Sequence, residues 1–336
     1  MSPRISVVVI GRNEGERLTR CLDSIASIRG LDGAVETIYV DSASTDGSPE
    51  RAAAAGATVV RVESDHPTAA LGRNAGWRVA AGEFVLFLDG DTILDPDFPR
   101  LALEAIAAEP TTAGVWGHRR ELYPEHSIYN RVLDLDWVFA PGFLEYCGGD
   151  VLMRRSALEE VQGYDPTLIA GEEPELCRRM RAKGHRILHI DAPMTKHDLA
   201  MTRFRQYWRR AVRTGHAYAE VSKRFRATED PLWQVSRVRN LLRGGFWMLT
   251  PVLAVAASLL WRSWRPAALW VAVLLVLAAR SAWKVRWKSP DTLTRLLYGL
   301  HSHRQQVPVL IGQLQFDLNA RRGRRRDLIE YKGEQN

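Results

Sequence analysis

The first 110 residues alternate between short apolar runs and segments in which apolar residues recur every three or four positions. The runs are typical of buried strands, and the recurring pattern is typical of amphipathic helices. The predicted strands cover residues 5–10, 35–40, 58–62 and 84–88, and residues 113–116 add a further one. Strands that alternate with helices predict an α/β fold with a doubly wound, mostly parallel sheet.

The pattern is looser between residues 125 and 150, where an aromatic and acidic segment precedes Gly148-Gly149-Asp150. Short strands are predicted over residues 151–153 and 186–190, with a helix over residues 174–183 between them. These elements would complete one domain over residues 1–200, divided into a first half over 1–112 and a second half over 113–200.

The chain beyond residue 200 is basic and then strongly apolar. We expect basic amphipathic helices over residues 201–243, because aromatic and arginine residues recur there at helical spacing. Residues 244–261 contain no charged residue in eighteen positions, and residues 266–279 contain none in fourteen. A membrane-crossing helix needs about 20 apolar residues. We therefore predict a hydrophobic membrane hairpin over residues 244–280 and a basic cytoplasmic tail over 281–336.

The net charge of +7 comes largely from clusters around and after this hairpin. Six of the eleven tryptophans lie between residues 247 and 287, as expected of anchors at a membrane interface. Together these features indicate an anionic lipid surface rather than nucleic acid as the partner. The positive-inside rule places both ends of the hairpin in the cytoplasm. Because Arg262 and Arg265 lie in its loop, a re-entrant hairpin and a spanning one both remain open.

The candidate chemistry begins at Asp89-Gly90-Asp91, directly after the apolar run 84–88. A buried strand there delivers two carboxylates to its carboxyl end, which is where open α/β sheets bind ligands. Two carboxylates can hold a divalent cation against a diphosphate. The same Asp-Gly pair also occurs in ordinary turns, so this pattern alone does not distinguish a cation site from a turn.

Taken together, six segments resemble family 2 glycosyltransferases with the GT-A fold, over about residues 3–215. Most are weak individually, but their order and spacing are specific. The segments are Val7-Val8-Val9-Ile10-Gly11-Arg12-Asn13-Glu14, Val40-Asp41-Ser42-Ala43-Ser44-Thr45-Asp46-Gly47-Ser48, Gly72-Arg73-Asn74-Ala75-Gly76, Phe87-Leu88-Asp89-Gly90-Asp91, Gly171-Glu172-Glu173-Pro174-Glu175-Leu176 and Gln206-Tyr207-Trp208-Arg209-Arg210.

The resemblance implies a nucleotide-sugar site in the first half of the domain. It assigns Asp41 to the nucleotide base, and Asn13 and Glu14 to a loop that touches the nucleotide. It assigns Arg73 to the donor diphosphate. A helix dipole does not favour a cation near the start of a helix, which agrees with a bound anion there.

It also implies a Mg²⁺ or Mn²⁺ site at Asp89 and Asp91, with Asp91 as the direct ligand and His197 as an additional metal or phosphate contact. Arg209 falls in a segment that resembles the Gln-x-x-Arg-Trp box of processive synthases and is assigned to nucleotide-sugar binding. Arg210 replaces the tryptophan of that box, which makes processive synthesis doubtful.

Glu173 matches the base that activates the acceptor hydroxyl in this family. Glu172, Glu173 and Glu175 lie close together in the sequence, and crowded negative charge should raise at least one pKa. Acidic residues ahead of Pro174 could equally complement a helix amino terminus. The family usually has aspartate at the position of Glu173, so Glu172 remains an alternative base.

These features predict a metal-dependent, inverting transfer of a sugar from a nucleotide sugar, UDP-linked, to a hydroxyl of a lipid or membrane-bound glycan. The predicted location is the inner membrane, with the catalytic domain facing the cytoplasm. A sugar nucleotidyltransferase is an alternative, but residues 11–14 lack the glycine-rich loop with arginine and lysine that it should carry. The second alternative is a non-catalytic, membrane-bound glycan-binding protein.

Overall fold

The computed structural model describes residues 3–323. The chain folds into two compact units. The first comprises Met1–Leu122 and Trp137–Leu199, and the second comprises Tyr123–Asp136 and Ala200–Asn336. Residues 123–136, which we expected within a single domain over 1–200, thus belong to the second unit.

The first unit is built on one nine-stranded sheet. The strands are Ile5–Gly11 (β1), Val35–Asp41 (β2), Thr58–Arg61 (β3), Phe84–Asp89 (β4), Thr92–Leu94 (β5), Thr112–Glu121 (β6), Gly142–Leu144 (β7), Val151–Arg154 (β8) and Arg186–His197 (β9). They follow the order β3-β2-β1-β4-β8-β6-β9-β5, and β7 pairs with β9 beside this path. β1 to β4 are mutually parallel where they pair, as are β6 and β9, whereas β5, β7 and β8 are antiparallel to their neighbours.

The predicted α/β fold with a mostly parallel sheet is confirmed. Two strands are longer than predicted, because β6 continues to Glu121 and β9 continues to His197. The apolar run that signals each of them ends earlier, and pairing between β6 and β9 extends both. β5 and β7, three residues each, were not predicted.

Six helices pack around this sheet, and their apolar side chains complete the core. The predicted helix over residues 174–183 is observed as Glu172–Ala182. The helix Ala69–Val79 approaches β1 closely, since a Cβ on Gly76 would lie 2.2 Å from Cγ1 of Val8. This close packing fixes the helix that carries Arg73. The helices are Glu16–Ala26 (α1), Ser48–Ala54 (α2), Ala69–Val79 (α3), Phe98–Ala108 (α4), Arg155–Glu160 (α6) and Glu172–Ala182 (α7).

The second unit is helical. Close helix crossings are made by glycines: a Cβ on Gly215 would lie 2.0 Å from the carbonyl oxygen of Val309, and one on Gly299 would lie 2.2 Å from that of Ala278. The region expected as a basic tail contains two further helices, and Arg324 to Arg326 of its basic cluster lie outside the described residues. The helices are Ile128–Asp134 (α5), Phe204–Arg224 (α8), Gln234–Leu260 (α9), Arg265–Lys284 (α10), Thr292–Arg304 (α11) and Gln306–Arg321 (α12).

α9 and α10 contain the two apolar segments and are each long enough to cross a membrane. Large apolar side chains along both are exposed, including Leu253, Leu260 and Val276. A helix that is apolar all round is expected in a core or a bilayer rather than in water. Trp261 and Trp264 lie at the turn between the two helices and are 67% and 76% exposed.

Candidate active site

The acidic pair lies where β4 ends and β5 begins, at the edge predicted from the sequence. β5 runs antiparallel to β9, and their register pairs Thr92 with His197. This pairing brings the imidazole of His197 beside Asp91, with Nε2 at 3.2 Å from Oδ1. One candidate ligand atom from each of Asp89, Asp91 and His197 lies within 4.8 Å of the others.

The donors of this cluster fit a divalent cation. Asp91 and His197 are buried, and Asp89 is half-buried. Carboxylates suit Mg²⁺ and Mn²⁺, and imidazole is a common ligand of divalent transition metals. A buried carboxylate such as that of Asp91 is costly unless a nearby cation compensates its charge. The three residues could therefore hold the metal that the sequence predicts.

Arg73 links the metal cluster to the predicted base. It lies on α3, is 2% exposed, and donates from Nη2 to Oδ1 of Asp89 at 3.0 Å. Its Nη1 lies 3.1 Å from Oε1 of Glu172 and 3.1 Å from Oε1 of Glu173. A single guanidinium thus holds three carboxylates from two elements in one group.

Glu173 is a carboxyl suited to proton transfer near neutral pH. It lies in the first turn of α7, which Gly171 precedes with φ of 85°, a conformation that glycine adopts without strain. Burial raises the pKa of Glu173 to about 7, with a further increase from the charge of Glu172, while Arg73 opposes both. The sequence predicted a raised pKa among these glutamates, and this residue has one.

Gly149 forms the wall beside this group. A Cβ at this position would lie 2.5 Å from Nη2 of Arg73, 3.3 Å from Oε1 of Glu173 and 3.4 Å from Oδ2 of Asp89. The arginine end is held by three carboxylates, so it cannot move away at low cost. The backbone at residue 149 therefore approaches the charged group as only glycine allows.

The predicted nucleotide residues lie on the loops after β1 and β2. Asp41 is 3% exposed, and its carboxylate accepts from the hydroxyl of Tyr39 at 3.1 Å and from the amide of Ser44 at 3.0 Å. Asn13 has φ of 56° and accepts from the amide of Thr45 through Oδ1 at 2.8 Å. The bond between Asn13 and Thr45 joins the two loops at the carboxyl edge of the sheet.

Glu14 lies between this loop pair and the acidic motif. Its carboxylate pairs with Arg17 at 3.0 Å, and its Cγ would lie 3.1 Å from a Cβ on Gly90. Asn13, Glu14 and Asp41 therefore belong to the same edge of the sheet as Asp89.

Comparison with known proteins identifies the first part of the chain. A sequence model described as glycosyl transferase family 2 matches residues 6–162. Residues 6–162 are a family 2 glycosyl transferase domain. The mannosyltransferase PcManGT of Pyrobaculum calidifontis, solved with GDP-Man and Mn²⁺, superposes with a TM-score of 0.63 at 20% identity, covering 94% of this chain and 88% of that one. This likeness confirms the predicted GT-A fold.

Two curated relatives match a shorter stretch of the chain. Glucosyl-3-phosphoglycerate synthase of Mycolicibacterium paratuberculosis is 40% identical over 96 residues, and glycosyltransferase AglE of Haloferax volcanii is 30% identical over 93. Each match covers 26% of this chain, and the chain covers 29% and 31% of the length of these relatives.

Arg209 lies outside the glycosyl transferase domain, on α8 of the second unit, where it is half-buried. Gln206 of the same segment closes the first turn of α8, because its Oε1 accepts from the amides of Thr202 and Arg203 at 3.0 and 2.9 Å. The glutamine of this box thus has a helix-capping role of its own.

Four residues beside the acidic motif were not predicted from the sequence. Asp150 accepts from the amide of Asp89 at 3.1 Å and from the hydroxyl of Thr195 at 2.8 Å. Arg119 lies near Asp89 and Asp150, and Trp137 packs against both Arg119 and His197. Asp150 had a signal, since Gly148-Gly149-Asp150 directly precedes a buried strand. No sequence signal indicated Arg119, because the predicted strand ended at residue 116.

Proposed function

We propose that the protein is a metal-dependent, inverting glycosyltransferase that moves a sugar from a nucleotide sugar, UDP-linked, to a hydroxyl of a lipid or membrane-bound glycan. The main support is one charged group, in which Arg73 joins Asp89 of the predicted metal cluster to Glu173. A cation site and a carboxyl that titrates near pH 7 are the two parts that such a transfer needs.

In this proposal Asp89, Asp91 and His197 hold Mg²⁺ or Mn²⁺, which supplies Lewis-acid stabilisation of the negative charge on the departing nucleoside diphosphate. Glu173 takes the proton of the acceptor hydroxyl as that oxygen attacks the anomeric carbon. A base is most effective when its pKa lies near the working pH, and burial gives Glu173 that property. Glu172 remains the alternative base.

The loops after β1 and β2 are the proposed binding site for the nucleotide of the donor. Asp41 would accept hydrogen bonds from the nucleotide base, and Asn13 and Glu14 would line the same pocket. PcManGT, whose fold this chain shares, was solved with GDP-Man and Mn²⁺. A test of the donor must therefore include both UDP-linked and GDP-linked sugars.

The proposal of a lipid or membrane-bound acceptor is supported by α9 and α10. Their exposed apolar side chains and the tryptophans at their turn suit immersion in a bilayer. Seven basic residues at the other end of the helix pair suit a cytoplasmic membrane surface: Arg237, Arg239, Arg243, Arg280, Lys284, Arg286 and Lys288. A catalytic unit held at that surface would meet lipid-linked acceptors.

The proposal is tested by incubating the purified protein with UDP-sugars and GDP-sugars, with Mn²⁺ or with EDTA, and measuring the release of nucleoside diphosphate. Water replaces the unknown acceptor in this assay. Metal-dependent release from one donor supports the proposal. Release from none, in a protein that binds Mn²⁺, contradicts it.

A further inference from the structure

Two cysteines of the first unit lie in contact beside the proposed base. The Sγ atoms of Cys147 and Cys177 are 3.6 Å apart, and both side chains are buried. Both are free thiols. The two residues are 30 positions apart in the chain, so only the fold brings their sulfur atoms together.

Each cysteine belongs to a segment that borders Glu173. Cys177 follows Glu173 by four residues on α7, so the two side chains lie on the same face of that helix. Cys147 lies in the loop between β7 and β8, two residues before Gly149. A Cβ on Gly149 would lie 3.3 Å from Oε1 of Glu173. The contact between the two sulfur atoms therefore joins the two segments that flank the base.

The two sulfur atoms are close enough to be joined after a small shift. Sulfur atoms in a disulfide are about 2.05 Å apart, so the loop and α7 would have to approach each other by about 1.5 Å. The loop has room to move, because a Cβ on Gly148 would meet nothing within 4 Å. Connecting loops are also the more mobile parts of a fold.

We propose that Cys147 and Cys177 are a redox-sensitive pair, and that their conversion to a disulfide lowers the activity of the catalytic unit. The new bond would draw the loop and α7 together and displace Glu173 relative to Arg73. An error of about 1 Å in the position of a catalytic group can cost about 100-fold in rate. Disulfide formation is independent of the proposed function, whereas the loss of activity rests on it.

The oxidant is a small-molecule disulfide, such as oxidised glutathione. The thiolate of Cys147 attacks one sulfur of that molecule, whose S–S bond breaks and releases the first small thiol. Cys177 then attacks the Cys147 sulfur of the mixed disulfide and releases the second small thiol. The two cysteines lose two electrons, and their two protons end on the two released thiols. Cys147 reacts first because it lies in a loop and is 4% exposed, whereas Cys177 is 0% exposed on a helix.

The surroundings of the pair slow this reaction. A hydrogen bond with Cys177, together with burial, raises the pKa of the Cys147 thiol. Since the thiolate is the attacking form, the pair should be oxidised slowly near neutral pH and faster as the pH rises. Disulfides in reducing compartments are usually transient, and many of them sense the redox state. A pair that stays reduced until the oxidant accumulates agrees with such a role.

The test exposes the reduced full chain to oxidised glutathione at about pH 8, where more of the thiol is ionised. Peptide mass spectrometry without a reductant detects the bond between Cys147 and Cys177. Metal-dependent release of nucleoside diphosphate is measured on the same samples. Cys147→Ala and Cys177→Ala each remove the pair. Cys21→Ala is the matched control, because Cys21 is also a buried free thiol and its removal leaves the pair intact.

We expect the linked peptide to form while the release rate falls by about 10- to 100-fold, and dithiothreitol should reverse both changes. Cys21→Ala should respond in the same way. Cys147→Ala and Cys177→Ala should keep their own rates throughout the treatment. If neither of these two variants can be obtained folded, the linked peptide, the loss of activity and their reversal must still appear together in the unchanged protein.

Absence of the linked peptide in the unchanged protein overturns this inference and leaves the proposed function intact. A linked peptide with an unchanged release rate also overturns it, as does equal inactivation of Cys147→Ala and Cys177→Ala, which would place the responsible oxidation elsewhere. If the reduced protein binds Mn²⁺ but releases nucleoside diphosphate from no donor, the proposed function fails. The claimed loss of activity then fails with it, whereas the linked peptide still decides whether the disulfide forms.

Discussion

Replacing Glu173 with glutamine should change how the stability of the first unit depends on pH. The folded protein holds the Glu173 proton until pH about 7, whereas the ordinary pKa is 4.5, because burial and the charge of Glu172 disfavour the carboxylate. The folded state therefore binds this proton more tightly than the unfolded state does. The contribution of Glu173 to stability is then lost as the pH rises from 4.5 to 7.

The size of the effect follows from that difference. Each pKa unit corresponds to about 1.4 kcal/mol, so a fully ionised Glu173 costs about 3 kcal/mol relative to the protonated group. Between about pH 5 and pH 8 the expected change is about 2–3 kcal/mol, since part of the titration lies below pH 5. Glutamine cannot ionise. As the pH rises over this interval, the unfolding free energy of Glu173→Gln should therefore increase by that amount relative to the unchanged protein.

Amide hydrogen exchange in peptides from β1 and β4 measures the unfolding free energy of the first unit alone. The two proteins are compared at about pH 5 and pH 8 in metal-free buffer, after correction for the intrinsic pH dependence of exchange. Glu159→Gln is the control, because this glutamate is exposed and its contact with Arg155 at 3.7 Å is worth little. Equal pH dependence in Glu173→Gln and the unchanged protein would show that burial does not raise the pKa of Glu173.

Four further outcomes are expected. Asp91→Asn should lower nucleoside diphosphate release by about 100-fold or more while circular dichroism stays unchanged, because loss of the metal forfeits several kcal/mol of charge stabilisation. Glu173→Gln should lower kcat for transfer by about 10²- to 10⁴-fold with little change in donor KM, and a larger kcat loss in Glu172→Gln would reassign the base. Gly149→Ala should cost about 1–3 kcal/mol and most of the activity, whereas Gly148→Ala should be mild, because a Cβ there meets nothing within 4 Å. The full chain should stay in the membrane fraction after alkaline carbonate washing, and its release into the supernatant would contradict immersion of α9 and α10.

Much of the sheet could be predicted because its central strands are continuous apolar runs. β1 and β4 are buried on both faces, so nearly every residue is apolar and the pattern is clear. β9 was cut short at residue 190, because Asp191 and Pro193 interrupt the apolar pattern. Its continuation to His197 depends on pairing with β6 and β5, which no local pattern encodes.

The metal cluster was predicted residue by residue from the resemblance, and the structure brings Asp89, Asp91 and His197 together. Their roles stay predictions until a metal is measured. The position of β8 between β4 and β6 could not be predicted, because strand order is set by packing over the whole sheet. Since β8 follows Asp150, its position also decides which carboxylate supports Asp89.

The partners of Arg73 could not be predicted from the sequence. The sequence shows a cation near the start of a predicted helix, and this unusual position favours a bound anion. In the structure that cation holds Asp89, Glu172 and Glu173, which come from segments 16 and about 100 residues away. Only the folded chain shows that its anions belong to the protein.

In the proposed function, release of a nucleoside diphosphate depends on a divalent cation held by Asp89, Asp91 and His197. The most direct measurement follows nucleoside diphosphate release from a panel of UDP-sugars and GDP-sugars as Mn²⁺ is added to the metal-free protein and to Asp91→Asn. We expect release that rises with Mn²⁺ in the unchanged protein and is absent in Asp91→Asn. Equal release in both proteins, or release that persists in EDTA, would contradict it.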